Sequence, residues 1–236
     1  MGSNMGKVAN NKKIKKPSYR YERKFHIKNL TKDEVISFIN LDSSIFRFAF
    51  KTRVINNIYF DNIYFKNYYE NVEGDTDRIK VRVRWYGELF KDLKKPKLEI
   101  KIKKGFLGYK ESMSIEKFDL TKDLSNIFFQ IKDTYLYNYY NLKNLNPVLM
   151  NSYTRSYYIS NDNNYRITID DNQSYYKISK NNNNFNKKFI DYNSIVLELK
   201  YNDQNDDDVS LITQNFPFRM TKNSKYVNGI ESVYEI

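Results

Sequence analysis

Apolar and polar residues alternate along a series of short stretches, and each alternation predicts a half-buried β-strand. In Lys80–Arg84, continued by Trp85-Tyr86-Gly87, the residues Val81, Val83 and Trp85 alternate with Lys80, Arg82 and Arg84. Arg20–Ile27 places Tyr21, Arg23, Phe25 and Ile27 on one face and Arg20, Glu22, Lys24 and His26 on the other. Leu98–Lys103 sets Leu98, Ile100 and Ile102 against Glu99, Lys101 and Lys103. Ile195–Tyr201 sets Leu197, Leu199 and Tyr201 against Glu198 and Lys200. Val54–Asp61 reads as another strand, and Tyr153–Ile159 with Tyr165–Asp170 as a hairpin around Asn161–Asn164. Thr31 and Glu34 form a capping-box signal for a helix through about Asn40. Leu124, Ile127, Phe128 and Ile131 recur near every 3.6 residues and predict a second helix from Thr121 to about Asn144, ended by Pro147. Gly105 and Gly108 mark a turn, and Asp203–Asp208 an acidic turn without calcium-loop spacing. Met1 to Ser18 is basic and aperiodic and is expected to be a disordered tail. Residues 19–236 are expected to form one α+β domain, a mainly antiparallel sheet or barrel.

Composition narrows the chemistry. The 40% hydrophobic content, with 22 Tyr and 16 Phe, can supply a sizeable core for a chain of 236 residues. There is no Cys and one His, so thiolate metal sites and disulfides are excluded and a Ser-His-Asp triad is disfavoured. A net charge of +12 suits an anionic partner: nucleic acid, a membrane surface or a polyanionic small molecule. No apolar run reaches the length of a membrane span and no signal peptide is visible, so the chain is expected to be soluble and cytoplasmic.

The charge then gives the polar strand faces a meaning. Side chains alternate across a strand, so Lys80, Arg82 and Arg84 share a face. Two like charges 4 Å apart at an effective dielectric near 20 repel by roughly 4 kcal/mol, and by less at strand spacing. Such a row needs full solvent or an anion. The pattern recurs on the other strands, with Lys24, Lys101 and Lys103, Arg155, Arg166 and Lys200, accompanied by Glu22, Glu99, Asp170 and Glu198. On the outside of a sheet these faces would be a salt-bridged surface; inside a barrel they would line a cationic channel. Arg and Lys clamp phosphate oxygens, and carboxylates among them can hold Mg²⁺ or Mn²⁺. Phosphoryl transfer needs such positioning and charge neutralisation more than a covalent nucleophile.

Eight short motifs in order carry a family resemblance. They are Tyr21-Glu22-Arg23-Lys24, Ile58-Tyr59-Phe60-Asp61, Lys80–Gly87, Leu98-Glu99-Ile100-Lys101, Tyr153-Thr154-Arg155, Arg166–Asp170, Val196–Lys200 and Ser224-Lys225-Tyr226. Together, over about residues 19–230, the chain resembles the vacuolar transporter chaperone (VTC) domain, the polyphosphate polymerase branch of the CYTH-like triphosphate tunnel metalloenzymes. The resemblance implies an eight-stranded antiparallel β-barrel tunnel with flanking helices. It implies transfer of the ATP γ-phosphoryl group to a growing polyphosphate chain, with Mn²⁺ or Mg²⁺. Carried over by motif, Lys24, Arg82, Arg84, Lys101, Arg155 and Lys200 would be the catalytic cations holding the triphosphate. Lys80, Lys103 and Arg166 would add phosphate contacts, as would Lys222, Ser224 and Lys225 from a last strand. Glu198 would be the metal ligand, with Glu22 and Glu99 behind it. Neither an amino-terminal SPX regulatory region nor a membrane span is read in the chain, so a stand-alone version is expected, recruited to membranes only through a partner subunit.

Two other readings compete. A triphosphatase or nucleoside triphosphatase of the same fold would show Glu-x-Glu-x-Lys on the first strand, where Arg20 replaces the first Glu here. A non-catalytic polyphosphate or RNA binder would use the Tyr-rich surface for base stacking, but no RNP-type motif is present and nucleic acid is not the expected partner.

Overall fold

The computed structural model describes residues 20–236 apart from 92, 106, 180–182 and 184; the basic tail expected before residue 19 lies outside the described residues. Among the described residues, nine strands form one antiparallel sheet: β1 (Arg20–Lys28), β2 (Arg47–Asp61), β3 (Arg78–Tyr86), β4 (Lys94–Lys104), β5 (Leu107–Ser114), β6 (Asn146–Ile159), β7 (Arg166–Lys177), β8 (Lys188–Asp191) and β9 (Ser194–Asn202). Their order is β1-β9-β7-β6-β2-β3-β4-β5, with β8 beside β7. The α-helices among the described residues are α1 (Lys32–Asn40), α2 (Lys66–Glu73), α3 (Tyr135–Tyr139), α4 (Val209–Thr213) and α5 (Lys225–Tyr234).

The alternating pattern decides the layers. The apolar faces of β3 and β4 (Val81, Val83, Trp85, Leu98, Ile100, Ile102) meet Leu124, Ile127, Phe128 and Ile131 outside the sheet. Those of β1, β7 and β9 (Phe25, Ile27, Ile167, Ile169, Leu197, Leu199) meet Val35 and Ile39 of α1 and Val209 and Ile212 of α4. With both apolar faces covered, the polar faces turn inward on a sheet that curls enough for Lys24 of β1 and Lys80 of β3 to feel each other's charge. A third cluster lies on this inner side. Tyr59, Leu149 and Tyr175 pack there against Tyr226, Ile230 and Val233 of α5, which fills that end of the concavity. The approach is so close that a Cβ on Gly229 would lie 2.5 Å from Leu149 and Tyr175 side-chain atoms.

The structure corrects three expectations about elements. The sheet is curled but open, with β1 and β5 at its two ends, rather than a closed eight-stranded barrel. The free edge of β1 is taken by a later segment: Thr221 donates its backbone N–H to the Lys24 carbonyl at 2.8 Å and accepts from His26 N–H at 3.0 Å. Those backbone groups are unavailable to β5. The helix expected from Thr121 to Asn144 breaks into a 3₁₀ turn (Leu124–Ile131), α3 and a second 3₁₀ turn (Leu142–Asn144). Thr134 is extended and caps α3, and Asn141 adopts φ 51°. Each ends one helical run and starts another. Finally, β5 replaces the turn expected around Gly108; only Gly105, at φ 57°, turns the chain. The expected capping box at Thr31 and Glu34 is present.

Candidate active site

The inner face divides into two charged walls. On the first, β3 sets Arg82 directly opposite Glu99 of β4 and Lys80 opposite Lys101; β5 adds Lys110 opposite Lys101. Arg82 donates Nε and Nη2 to Glu99 Oε2 at 2.9 and 2.6 Å, Arg84 Nη1 lies 3.7 Å from the same oxygen, and Lys110 Nζ donates to Glu99 Oε1 at 2.9 Å. Burial alone would raise the Glu99 carboxyl, but Arg82, Arg84 and Lys110 outweigh it and hold it well below the carboxylate range. The neighbouring row Lys80–Lys101–Lys110 has no carboxylate in it. Directly opposed like charges destabilise a sheet. Burial first, then Lys24, Arg78 and Arg82, pulls Lys80 down to about 7. The Arg82 charge first, and then desolvation, hold Lys101 well below an ordinary lysine although its side chain is solvent-exposed, and among the described residues it has no hydrogen bond or ion pair.

The opposite wall is balanced. Asp170, fully buried on β7, accepts Arg155 Nε at 2.5 Å and Nη2 at 2.6 Å, with Lys225 Nζ at 2.6 Å. Glu198 on β9 meets Lys200 Nζ at 2.6 Å, Arg155 Nη2 at 3.4 Å and Lys24 Nζ at 3.7 Å. Glu22 meets Lys24 Nζ at 2.9 Å and Lys200 Nζ at 3.9 Å. Desolvation would raise Asp170 and Glu198, yet the surrounding ammonium and guanidinium groups lower both. The walls meet through tyrosine. Tyr153 Oη accepts from Arg84 Nη2 at 3.3 Å, while its ring lies 5.3 Å from the Arg155 guanidinium and 4.7 Å from Lys225 Nζ. Burial would raise the Tyr153 phenol; Arg155 and Arg84 lower it instead.

The sequence-predicted residues therefore separate. Lys24, Lys80, Arg82, Arg84, Lys101, Arg155, Lys200, Ser224 and Lys225 converge with Glu22, Glu99 and Glu198. Lys222, Ser224 and Lys225 do not lie on a strand: Ser224 is the N-cap of α5, accepting from Val227 N–H, and Lys225 is its first residue. The short Thr221–Lys225 run looks extended in sequence, but the Ser cap starts a helix there. Ser224 also accepts Lys80 Nζ at 3.0 Å, tying β3 to α5. Lys103 sits at the end of its row opposite Arg78, Arg166 is exposed opposite Lys200, and Lys222 is exposed; none of these three has an ion pair among the described residues. The sequence reading missed Lys110, because β5 was not expected, and Asn57 and Asn151, which bond each other at 2.9 Å while Asn57 Oδ1 accepts Arg84 Nε at 3.0 Å. Alternation in Leu107–Ser114 is weak, whereas Asn57 and Asn151 could have been found by following the inward parity of β2 and β6.

No group of three His, Asp or Glu side chains among the described residues could cage a metal ion. Glu22 and Glu198 are ionised neighbours that share Lys24 and Lys200. Two carboxylates of this kind suit a hard cation that draws its remaining ligands from phosphate oxygens and water. Glu99 stands outside this pair, and its partners Arg82, Arg84 and Lys110 bring no second carboxylate to it, so it fits that role least.

The fold is shared with solved structures of low sequence identity. A candidate adenylyl cyclase from Hippeastrum with a dominant triphosphatase activity is 13% identical, with a TM-score of 0.50 over 87% of this chain and 93% of that one. A protein from Pyrococcus horikoshii OT3 is 12% identical and a candidate adenylate cyclase from Vibrio parahaemolyticus 11% identical, each with a TM-score of 0.50 over 90% of this chain and 99% of the other. No curated protein matches the sequence significantly. The VTC domain matches residues 19–234, and the chain belongs to the VTC domain family.

Proposed function

We propose that this protein is an ATP-dependent polyphosphate polymerase whose curled sheet serves as a tunnel for the polyanion. The family and fold support an enzyme that handles triphosphate or polyphosphate; the finer reading rests on the inner face. One observation carries it: cations crowd opposite walls, while every carboxylate among them is already ionised and ion-paired. Among the described residues no carboxylate there is left unpaired to activate water, whereas an extended chain of phosphates would find partners at each step.

In this reading Arg82, Arg84 and Arg155 hold and orient the triphosphate by bidentate contacts, and Lys24, Lys101, Lys200 and Lys225 add point charges. A terminal phosphate oxygen of the acceptor attacks the γ-phosphorus as its bond to the β-bridging oxygen breaks. ADP leaves with that electron pair, and the cations neutralise the charge in place, so little reorganisation is needed. Glu198 and Glu22 would hold a bound Mn²⁺ or Mg²⁺, which would neutralise phosphate charge. Polyphosphate, pyrophosphate and ATP are the partners; nucleic acid is not. The cytoplasm, with recruitment by a membrane partner, is the expected location, and no helix among the described residues is long and apolar enough to cross a membrane. A triphosphatase is the second reading, favoured by the activity of the Hippeastrum relative.

Incubation with ATP and Mn²⁺, followed by a gel stained for polyphosphate and a parallel assay of free phosphate, tests the proposal. A ladder of long polymer with little free phosphate is expected. Free phosphate without polymer overturns the polymerase in favour of the hydrolase, and neither product leaves a binding module.

A further inference from the structure

Beyond the charged walls the inner face changes character. Cross-strand partners share a face, so Arg53, directly opposite Arg155, points to the same side of the sheet. The next inward residue after Arg155 on β6 is Tyr157, and the next after Arg84 on β3 is Tyr86. The Arg53 guanidinium is surrounded by rings: 5.9 Å from Phe50, 5.7 Å from Tyr86 and 5.8 Å from Tyr157. Phe50 and Tyr157 are themselves in edge contact at 5.9 Å. Tyr86 and Tyr157 thus lie one inward position beyond Arg84 and Arg155, with Arg53 level with Arg155 and Phe50 paired to Tyr157.

This cluster is accessible. Phe50 is 60% and Tyr86 40% exposed, although large rings beside an apolar neighbour such as Ile55 could have been buried. Arg53 is exposed too, and among the described residues it has no carboxylate partner, so only ring faces and water offset its charge. The other end of the concavity is filled by α5 against Tyr59, Leu149 and Tyr175. A molecule whose phosphates lie along the arginines and which carries a bulky planar group must place that group at the open, ring-lined end.

We infer that Phe50, Arg53, Tyr86 and Tyr157 form a stacking platform for the purine base of a nucleoside triphosphate, and that the nucleotide enters from this end. The chemistry fits on both sides of the ribose. Two residues along a strand advance about 7 Å, which carries the site from the Arg84 and Arg155 positions to the Tyr86 and Tyr157 positions. Aromatic and guanidinium planes hold a base by stacking without reading its edge. The platform would therefore select nucleotides over inorganic triphosphate while discriminating weakly among purines. The inference rests on the reading that phosphates occupy Arg82, Arg84 and Arg155.

The test uses the full chain and two probes, a non-hydrolysable ATP analogue and inorganic triphosphate, with binding of each measured by calorimetry. The variant is the double substitution Phe50→Ala with Tyr86→Ala, which removes exposed rings and leaves every charge. The analogue should weaken about tenfold while inorganic triphosphate changes by less than about twofold. Equal weakening of both probes, or no change in either, overturns the platform, because the rings would then only clamp Arg53 or do nothing for the ligand. If the unsubstituted chain binds neither probe, the phosphate assignment itself fails and the platform falls with it. If it binds both and the variant leaves their ratio unchanged, the phosphate site stands and the platform does not.

Discussion

The two walls of the site are made from the same residue types and do different things. On β1, β6, β7, β9 and α5, the cations Lys24, Arg155, Lys200 and Lys225 are matched to Glu22, Asp170 and Glu198 by contacts from 2.5 to 3.9 Å. On β3, β4 and β5, Glu99 pairs with Arg82, Arg84 and Lys110, while Lys80 and Lys101 oppose each other without a carboxylate between them. The first wall is complete without a ligand: remove one partner and a buried charge is stranded. The second is incomplete: its lysine row repels itself, and Lys80 and Lys101 hold their protons weakly. A folded protein can keep such a wall when an anion is its normal occupant. The balanced wall thus fixes the frame while its cations still face the ligand, and the unbalanced wall is the part that depends on an anion for its balance.

The largest break in this comparison comes from the balanced side. Asp170→Ala leaves Arg155 and Lys225 buried without their carboxylate, and removing one partner of a buried pair destabilises by about 3–5 kcal/mol. Urea unfolding at neutral pH should show a loss of that size. A loss below about 1 kcal/mol would mean that Asp170 is a bystander.

A smaller effect appears in the pH dependence of the lysine row. Lys80 falls from 10.5 to about 7 in the folded chain. Between those values the folded protein binds fewer protons than the unfolded one, so stability of the unliganded chain should rise with pH across that window. Phosphate needs the protonated amine, so affinity for inorganic triphosphate should fall as pH rises above about 7, by up to tenfold per pH unit for one coupled proton. Comparison with Lys80→Met separates this from titration of the ligand. If both proteins show the same pH profile between 7 and 9, Lys80 is not the group responsible.

The smallest effect sharpens the contrast most. Lys101→Met removes the middle charge of the row, and relief of like-charge pairs should leave stability unchanged or raise it by about 0.2–1 kcal/mol. Triphosphate affinity should fall in the same variant. A variant that unfolds more easily and still binds normally would assign Lys101 to the frame.

Much of this was legible beforehand, and for a definite reason. The period of two in Arg20–Ile27, Lys80–Arg84, Leu98–Lys103 and Ile195–Tyr201 divides each strand into an apolar and a charged face, and every such division stands in the structure. Lys110 escaped because Leu107–Ser114 alternates weakly, being an edge strand with little to bury. Arg53 escaped because its ring partners come from β2, β3 and β6, and their proximity depends on cross-strand register. Helix α5 escaped because Ser224 reads equally well as a turn residue.

By itself, then, the sequence determined which residues share a face, that the shared face is cationic, and which family the chain resembles. Periodicity is a local property, and the burial of apolar side chains enforces it strand by strand. The tertiary structure alone decided which strands neighbour which, that the sheet stays open between β1 and β5, and that α5 fills one end while rings line the other. Those outcomes depend on register, on sheet curvature and on competition for the edge of β1, where Thr221 holds the Lys24 carbonyl. Each is a contact between residues far apart in the chain, and no local pattern encodes it.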